Sequence, residues 1–117
     1  MQTIQKNLTE LNQLILQGRA LEAFDKYYDD GVIMQENNDT PTLGKAANRD
    51  REIEFFSKVT ELRKMEVINV GFGENVSFAV WHWNYTHADW GERNYTQVAI
   101  QTWKDDKIIK EQFFYGN

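Results

Sequence analysis

Among the acids and histidines of the sequence, Glu36, His82 and Glu111 are the candidates for moving protons. Glu36 follows a short apolar run, where a strand would end beside a cavity. A carboxylate there acts as a general base if burial raises its pKa and it reaches a substrate proton. The alternative is a solvated carboxylate opening a polar loop, because Asn37, Asn38 and Asp39 follow directly. His82 lies between two tryptophans in the run VSFAVWHWNYTH. Strand alternation places it on one face with Phe78, Val80 and Asn84. If Asp105-Asp106 is a hairpin turn pairing Lys104 with Lys107, then Val98, Ile100, Ile109, Glu111 and Phe113 share one face. Gln97, Gln101, Trp103 and Phe114 then share the other. If His82 joins the first set, a His82–Glu111 acid–base pair faces an apolar cavity. The plainer alternatives are a histidine satisfied by a neighbour and a glutamate paired with Lys, Arg or Tyr.

Gln97 and Gln101 lie four apart in a strand, so both amides point the same way. They either donate to a ligand or meet across an interface between copies of the chain. With Asn84 they are the candidates for orienting a substrate, and Phe56 and Phe113 are the candidate apolar contacts. Trp81, Trp83 and Tyr85 share a face in an unbroken strand, and such a face is core or interface.

These residues need elements to hold them. Ile4, Leu8, Leu11 and Ile15 recur at helical spacing, which predicts a helix over residues 3–17 with Gly18 as its C-terminal cap. Ala20, Phe24 and Tyr28 form a second helical stripe, ended by a turn at Asp29-Asp30-Gly31. A short strand is predicted at 32–36 and a loop at 37–44, which holds the single proline, Pro41. Residues 45–63 read as a long helix, with Ile53, Phe56 and Thr60 on one line. The period then changes to two, predicting strands at 65–72, 76–87, 93–104 and 107–115, with turns at 88–92 and 105–106. Strands joined by short turns make an antiparallel meander. The fold class is therefore α+β, order ααβαββββ, in one domain over residues 1–117. Twelve residues of strand reach about 40 Å, too long for a domain of this size unless the sheet bends. A sheet curved around the long third helix leaves room for a small hydrophobic ligand.

The rest of the composition narrows the function. The 117 residues hold 13 Lys+Arg against 18 Asp+Glu, a net charge of −5, which argues against a nucleic-acid partner. Cysteine is absent, so disulfides, thiolate metal sites and cysteine nucleophiles are excluded. No apolar run approaches the roughly 20 residues that span a bilayer, and no membrane partner is expected. The N-terminus lacks the basic start and apolar block of a signal peptide, so the expected location is cytoplasmic. His82 and His87 fall on opposite faces of a strand, so no metal site is expected. Gly71-Phe72-Gly73 precedes no helix and is not a dinucleotide fingerprint. Asp29-Asp30 lacks the calcium-loop pattern. Five N-x-S/T sequons read as coincidence without a signal peptide. Neither Ser57 nor Ser77 stands in a nucleophile context.

Three stretches carry a family resemblance: AFDKYYDDGV at residues 23–32, Gly44 opening the third helix, and WKDDKI at 103–108. They resemble the SnoaL-like proteins of the nuclear transport factor 2-like superfamily over nearly the whole chain. The family usually reads W-x-D-G-K-I in the last hairpin, and here Asp106 replaces the glycine. The resemblance implies a cone-shaped fold of cystatin type and a pocket for a small molecule. It also implies polyketide cyclase, isomerase or dehydratase chemistry without a cofactor, or a non-catalytic binding or dimerisation module. In isomerase-like members a catalytic aspartate lies near the position of Gln35 or Glu36. Members commonly form homodimers through their sheets, which would make the Trp81, Trp83 and Tyr85 face an interface. The cyclases place an acid–base aspartate near the chain's end, whereas Tyr115-Gly116-Asn117 has none. On this view Glu36 is the base, His82 or Glu111 its acid partner, and Asn84, Gln97 or Gln101 orient the substrate.

Overall fold

A computed structural model describes residues 2–116. Helix α1 (Gln2–Leu16) buries Ile4, Leu8, Leu11 and Leu14 along one stripe. The chain leaves it through Gly18, whose φ of 78° is costly for any side-chain-bearing residue. Helix α2 (Ala20–Tyr27) lays Ala23, Phe24 and Tyr27 against that stripe. Strand β1 (Tyr28–Glu36) begins at once, so the expected turn at Asp29-Asp30-Gly31 does not form. Instead the Asp29 carboxylate accepts the Gly31 N–H at 2.9 Å, and a register shift between Tyr28 and Ile33 absorbs the irregularity.

After β2 (Thr42–Leu43), helix α3 (Lys45–Ser57) is six residues shorter than its apolar spacing predicts. Strand β3 (Val59–Phe72) takes over at Val59-Thr60, two β-branched residues, where Val59 pairs with His87. Strands β4 (Val76–His87), β5 (Gly91–Lys104) and β6 (Lys107–Tyr115) follow closely the expected ranges. Asp105 and Asp106 both take positive φ, 52° and 65°, and Lys104 pairs with Lys107, as a two-residue hairpin requires.

The six strands form one curved, unclosed sheet in the order β2-β1-β6-β5-β4-β3. Its neighbours are antiparallel except β1 and β6, which run parallel. The chain measures 38 Å at its longest, less than 14 straight strand residues would need (about 46 Å). Three register shifts between β3 and β4, and one between β5 and β6, bend the strands. The main core lies between α1, α2 and the sheet, with Trp103, Ile108, Val32 and Met34 beneath the helices. Helix α3 is pinned by Asn48, which is fully buried. Its amide donates to the carbonyls of Val32 (3.3 Å), Thr42 (3.0 Å) and Gly44 (2.8 Å), tying the helix to β1 and β2. Among the described residues no helix is long and apolar enough to cross a membrane.

Candidate active site

Two of the three proposed proton carriers do not face each other. The β5–β6 ladder shifts by one residue between Thr102 and Trp103, leaving Ile109 as the extra residue. Beyond that bulge Glu111 pairs with Gln101, not Ile100, and every following side chain of β6 changes face. Glu111 and Phe113 therefore join Gln97 and Gln101 on the concave face, whereas Phe114 lies opposite Val98 on the convex face. His82 also lies on the convex face, where its Nε2 meets Asn94 Oδ1 at 2.7 Å. Asn84 is there too, its Oδ1 accepting from Arg63 Nε at 2.9 Å. The expected His82–Glu111 pair does not form, and Asn84 does not line the chamber. Trp81 and Tyr85 are buried inside the protomer. The aromatic stripe of β4 is thus a concave wall rather than an exposed face.

The concave side holds a chamber of about 80 Å3, with space for several water-sized groups. Glu111 sits in its sheet wall, wired from both sides. Tyr28 Oη donates to one carboxylate oxygen, and Gln101 Nε2 donates to the other at 2.8 Å. The Gln101 amide cannot turn round, because its carbonyl accepts from Ser77 Oγ at 2.7 Å. Ser77 Oγ in turn accepts from Trp103 Nε1 at 2.8 Å. A directed chain of donors, Trp103 to Ser77 to Gln101, thus ends on the carboxylate. Burial nevertheless lifts the Glu111 carboxyl to about 7, against the pull of both hydrogen bonds. Burial also pushes the Tyr28 hydroxyl well above its ordinary range, with the Glu111 charge adding to the shift.

Glu52 forms the helix wall, and the sequence reading missed it. It stands one turn after Asn48 and one before Phe56, so all three share a face of α3. That spacing was a usable signal, since Phe56 was already placed toward the ligand. Glu52 makes no hydrogen bond or ion pair among the described residues, and its carboxylate opens into the chamber. Burial first, and the Glu111 charge second, raise it to about 7, with Arg51 opposing. Both carboxyls that face the chamber are thus raised, Glu111 mainly by burial and Glu52 by burial and then by the Glu111 charge.

Glu36 lies outside this chamber, in an adjoining vestibule of about 410 Å3 that Glu52 and Phe56 also line. Its carboxylate accepts from Tyr115 Oη at 2.9 Å and lies 3.7 Å from Arg51. Burial raises its pKa, with Tyr115 and Arg51 pulling the other way. An apolar cleft of about 300 Å3 reaches the same place from the α1–α2 turn, past Leu21, Leu62 and Met65. Chamber, vestibule and cleft meet at Phe56 and Trp83. Trp83 Nε1 is buried without a hydrogen-bond partner among the described residues, an unmade bond worth about 1–3 kcal/mol. Among the described residues no three His, Asp or Glu side chains converge to hold a metal ion.

The model of the SnoaL-like domain matches residues 2–115. A candidate SnoaL-like polyketide cyclase from Mesorhizobium loti superposes with a TM-score of 0.86 at 22% identity, covering 96% of this chain and 98% of that one. An NTF-2 like protein of unknown function from Burkholderia xenovorans gives 0.80 at 18% identity, covering 99% and 84%. A candidate polyketide cyclase from Xanthomonas campestris gives 0.75 at 16% identity, covering 98% and 91%. At these identities the likeness carries the fold. No curated protein matches the chain at a significant level.

Proposed function

Because the chain belongs to the SnoaL-like domain family, we propose that it is a cofactor-independent acid–base enzyme acting on a small hydrophobic carbonyl compound. Glu52 removes a proton from the carbon beside the carbonyl, and Glu111 supplies or receives the second proton. The observation that carries this is the state of Glu52: a carboxylate with no partner, open to an apolar chamber, with its pKa near 7. A base near the working pH combines the right protonation state with enough driving force. The Glu111 charge adds to the raised pKa of Glu52, and Tyr28 and Gln101 hold Glu111 still. Gln97, Phe113 and Phe56 line the chamber that receives the carbonyl end of the substrate. The unpartnered indole N–H of Trp83 is the donor left to meet the substrate oxygen. Glu36, expected as the base, becomes a vestibule residue held by Tyr115 and Arg51.

The test is deuterium exchange next to the ketone of butyrophenone and 2-tetralone in D2O, followed by proton NMR. The wild-type protein should speed exchange over buffer, and Glu52→Gln should lower that rate by about 10²–10⁴-fold. Exchange no faster than buffer would sink the assignment.

A homodimer through the sheet belongs to the same proposal, now on the convex face. Phe78 and Phe114 are exposed there beside Val98 and Ile100. Light scattering should give twice the protomer mass for wild type and a monomer for Phe78→Glu. A monomeric wild type would remove the dimer.

A further inference from the structure

Three cations line the vestibule: Arg51, Lys58 and Arg93. Arg51 is taken by Glu36 at 3.7 Å and by Asn48 Oδ1 at 3.1 Å. Lys58 is taken by Asp89 at 2.7 Å and Glu54 at 3.3 Å. Arg93 makes no ion pair and donates no hydrogen bond among the described residues. It is half-buried, pairs with Tyr85 across the β4–β5 ladder, and lies 5.3 Å from the centre of the Tyr95 ring.

The groups around Arg93 are donors in search of an acceptor. Tyr85 Oη and Tyr95 Oη share one hydrogen bond of 2.8 Å, and two hydroxyls sharing one bond leave one proton over. The acids of the vestibule are mostly committed: Glu54 and Asp89 to Lys58, Glu36 to Arg51 and Tyr115. Asp39 stands in the loop after β1, and Glu52 lines both the vestibule and the chamber without pairing to Arg93. A guanidinium fork with a phenol proton beside it matches the two oxygens of a carboxylate.

We infer that the substrate carries a carboxylate, held by Arg93 and the Tyr85–Tyr95 pair in the vestibule while its apolar carbonyl end enters the inner chamber. The placing of the carbonyl rests on the acid–base assignment above; the carboxylate subsite rests on Arg93 and the phenols alone. The spacing sets the reach of the molecule. Arg93 lies four residues from Gln97 on β5, a separation of about 13 Å at strand rise, and Gln97 lines both compartments. A keto acid with a ring at one end and a carboxylate a few carbons beyond the ketone has that form.

Calorimetric titration with 4-benzoylbutyrate and its methyl ester separates the two claims. Wild-type protein should bind the acid at least about tenfold more tightly than the ester, as a charge-assisted pair requires. Arg93→Met should erase that preference by weakening the acid far more than the ester, and Arg93→Lys should keep part of it. Raising the salt concentration should narrow the gap. Equal binding of acid and ester by the wild type would overturn the carboxylate subsite. So would an Arg93→Met variant that weakens both alike, or no binding of the acid at millimolar concentration. If the acid is preferred through Arg93 but neither ligand exchanges its proton, the acid–base assignment fails and the subsite stands. If both exchange at equal rates and bind equally, the subsite fails and the assignment stands.

Discussion

The two walls of the chamber hold the same chemical group in opposite ways. On the sheet wall Glu111 accepts from Tyr28 and Gln101, and Gln101 is itself held by Ser77 and Trp103. On the helix wall Glu52 has no partner among the described residues, and only its backbone is fixed, through Asn48 one turn earlier. Both carboxyls are nevertheless raised to about 7. Burial dominates in each case and outweighs two hydrogen bonds on Glu111. The difference therefore lies in freedom rather than acidity. The sheet wall holds its carboxyl in one place and the helix wall does not; in the proposed reaction the freer of the two follows the substrate proton.

Exchanging one wall's group at a time should break that symmetry. Glu52→Gln should cost the full general-base contribution, about 10²–10⁴ in exchange rate. Glu111→Gln should cost less, roughly tenfold, because it leaves the base in place but lets its pKa fall. Exchange rates on one ketone with both variants decide the order. If Glu111→Gln is the more damaging, the roles of the two walls are reversed.

A second contrast is in stability against pH. Both carboxyls are raised from an ordinary 4.5 to about 7 on folding. A group raised in the folded state contributes stability that is complete below pH 4.5 and lost as pH climbs through 7. The carboxylates of Glu10, Asp25 and Asp89 are shifted downward, so their contributions are already complete above pH 4.5. Urea unfolding should therefore show less stability at pH 8 than at pH 5, by a few kcal/mol. Glu52→Gln should shrink the gap by removing one titrating group. A wild type equally stable at both values would contradict the buried pair.

The smallest effect concerns the wiring. Ser77→Ala removes the acceptor of Trp103 and the donor that orients Gln101, at about 1–2 kcal/mol of stability. Thermal unfolding reads it directly. Because Glu52 shares none of this wiring, its share of the pH gap should survive the substitution.

How much of this was legible in the sequence depended on the kind of signal. Alternation in β4 and the Asp105-Asp106 turn are local, and both the strand range and the Lys104–Lys107 pairing follow from them. The bulge at Ile109 carries no local mark, and a one-residue slip moved Glu111 to the other face, away from His82. The end of α3 was overridden by pairing of Val59 with His87, a contact 28 positions away in the chain. Glu52 was readable from its turn before Phe56, but its raised pKa depends on burial by strands distant in sequence. The family resemblance was legible in short motifs. The proposed chemistry was not, because it rests on which carboxylate lacks a partner.

The most direct test of the two raised carboxyls is a carboxyl carbon-13 NMR titration of Glu52 and Glu111, in wild type and in Glu111→Gln. Both should titrate near pH 7 in the wild type, and Glu52 should move downward once the Glu111 charge is gone. Both titrating near 4.5, or a Glu52 indifferent to the loss of Glu111, would contradict a coupled pair at the heart of this site.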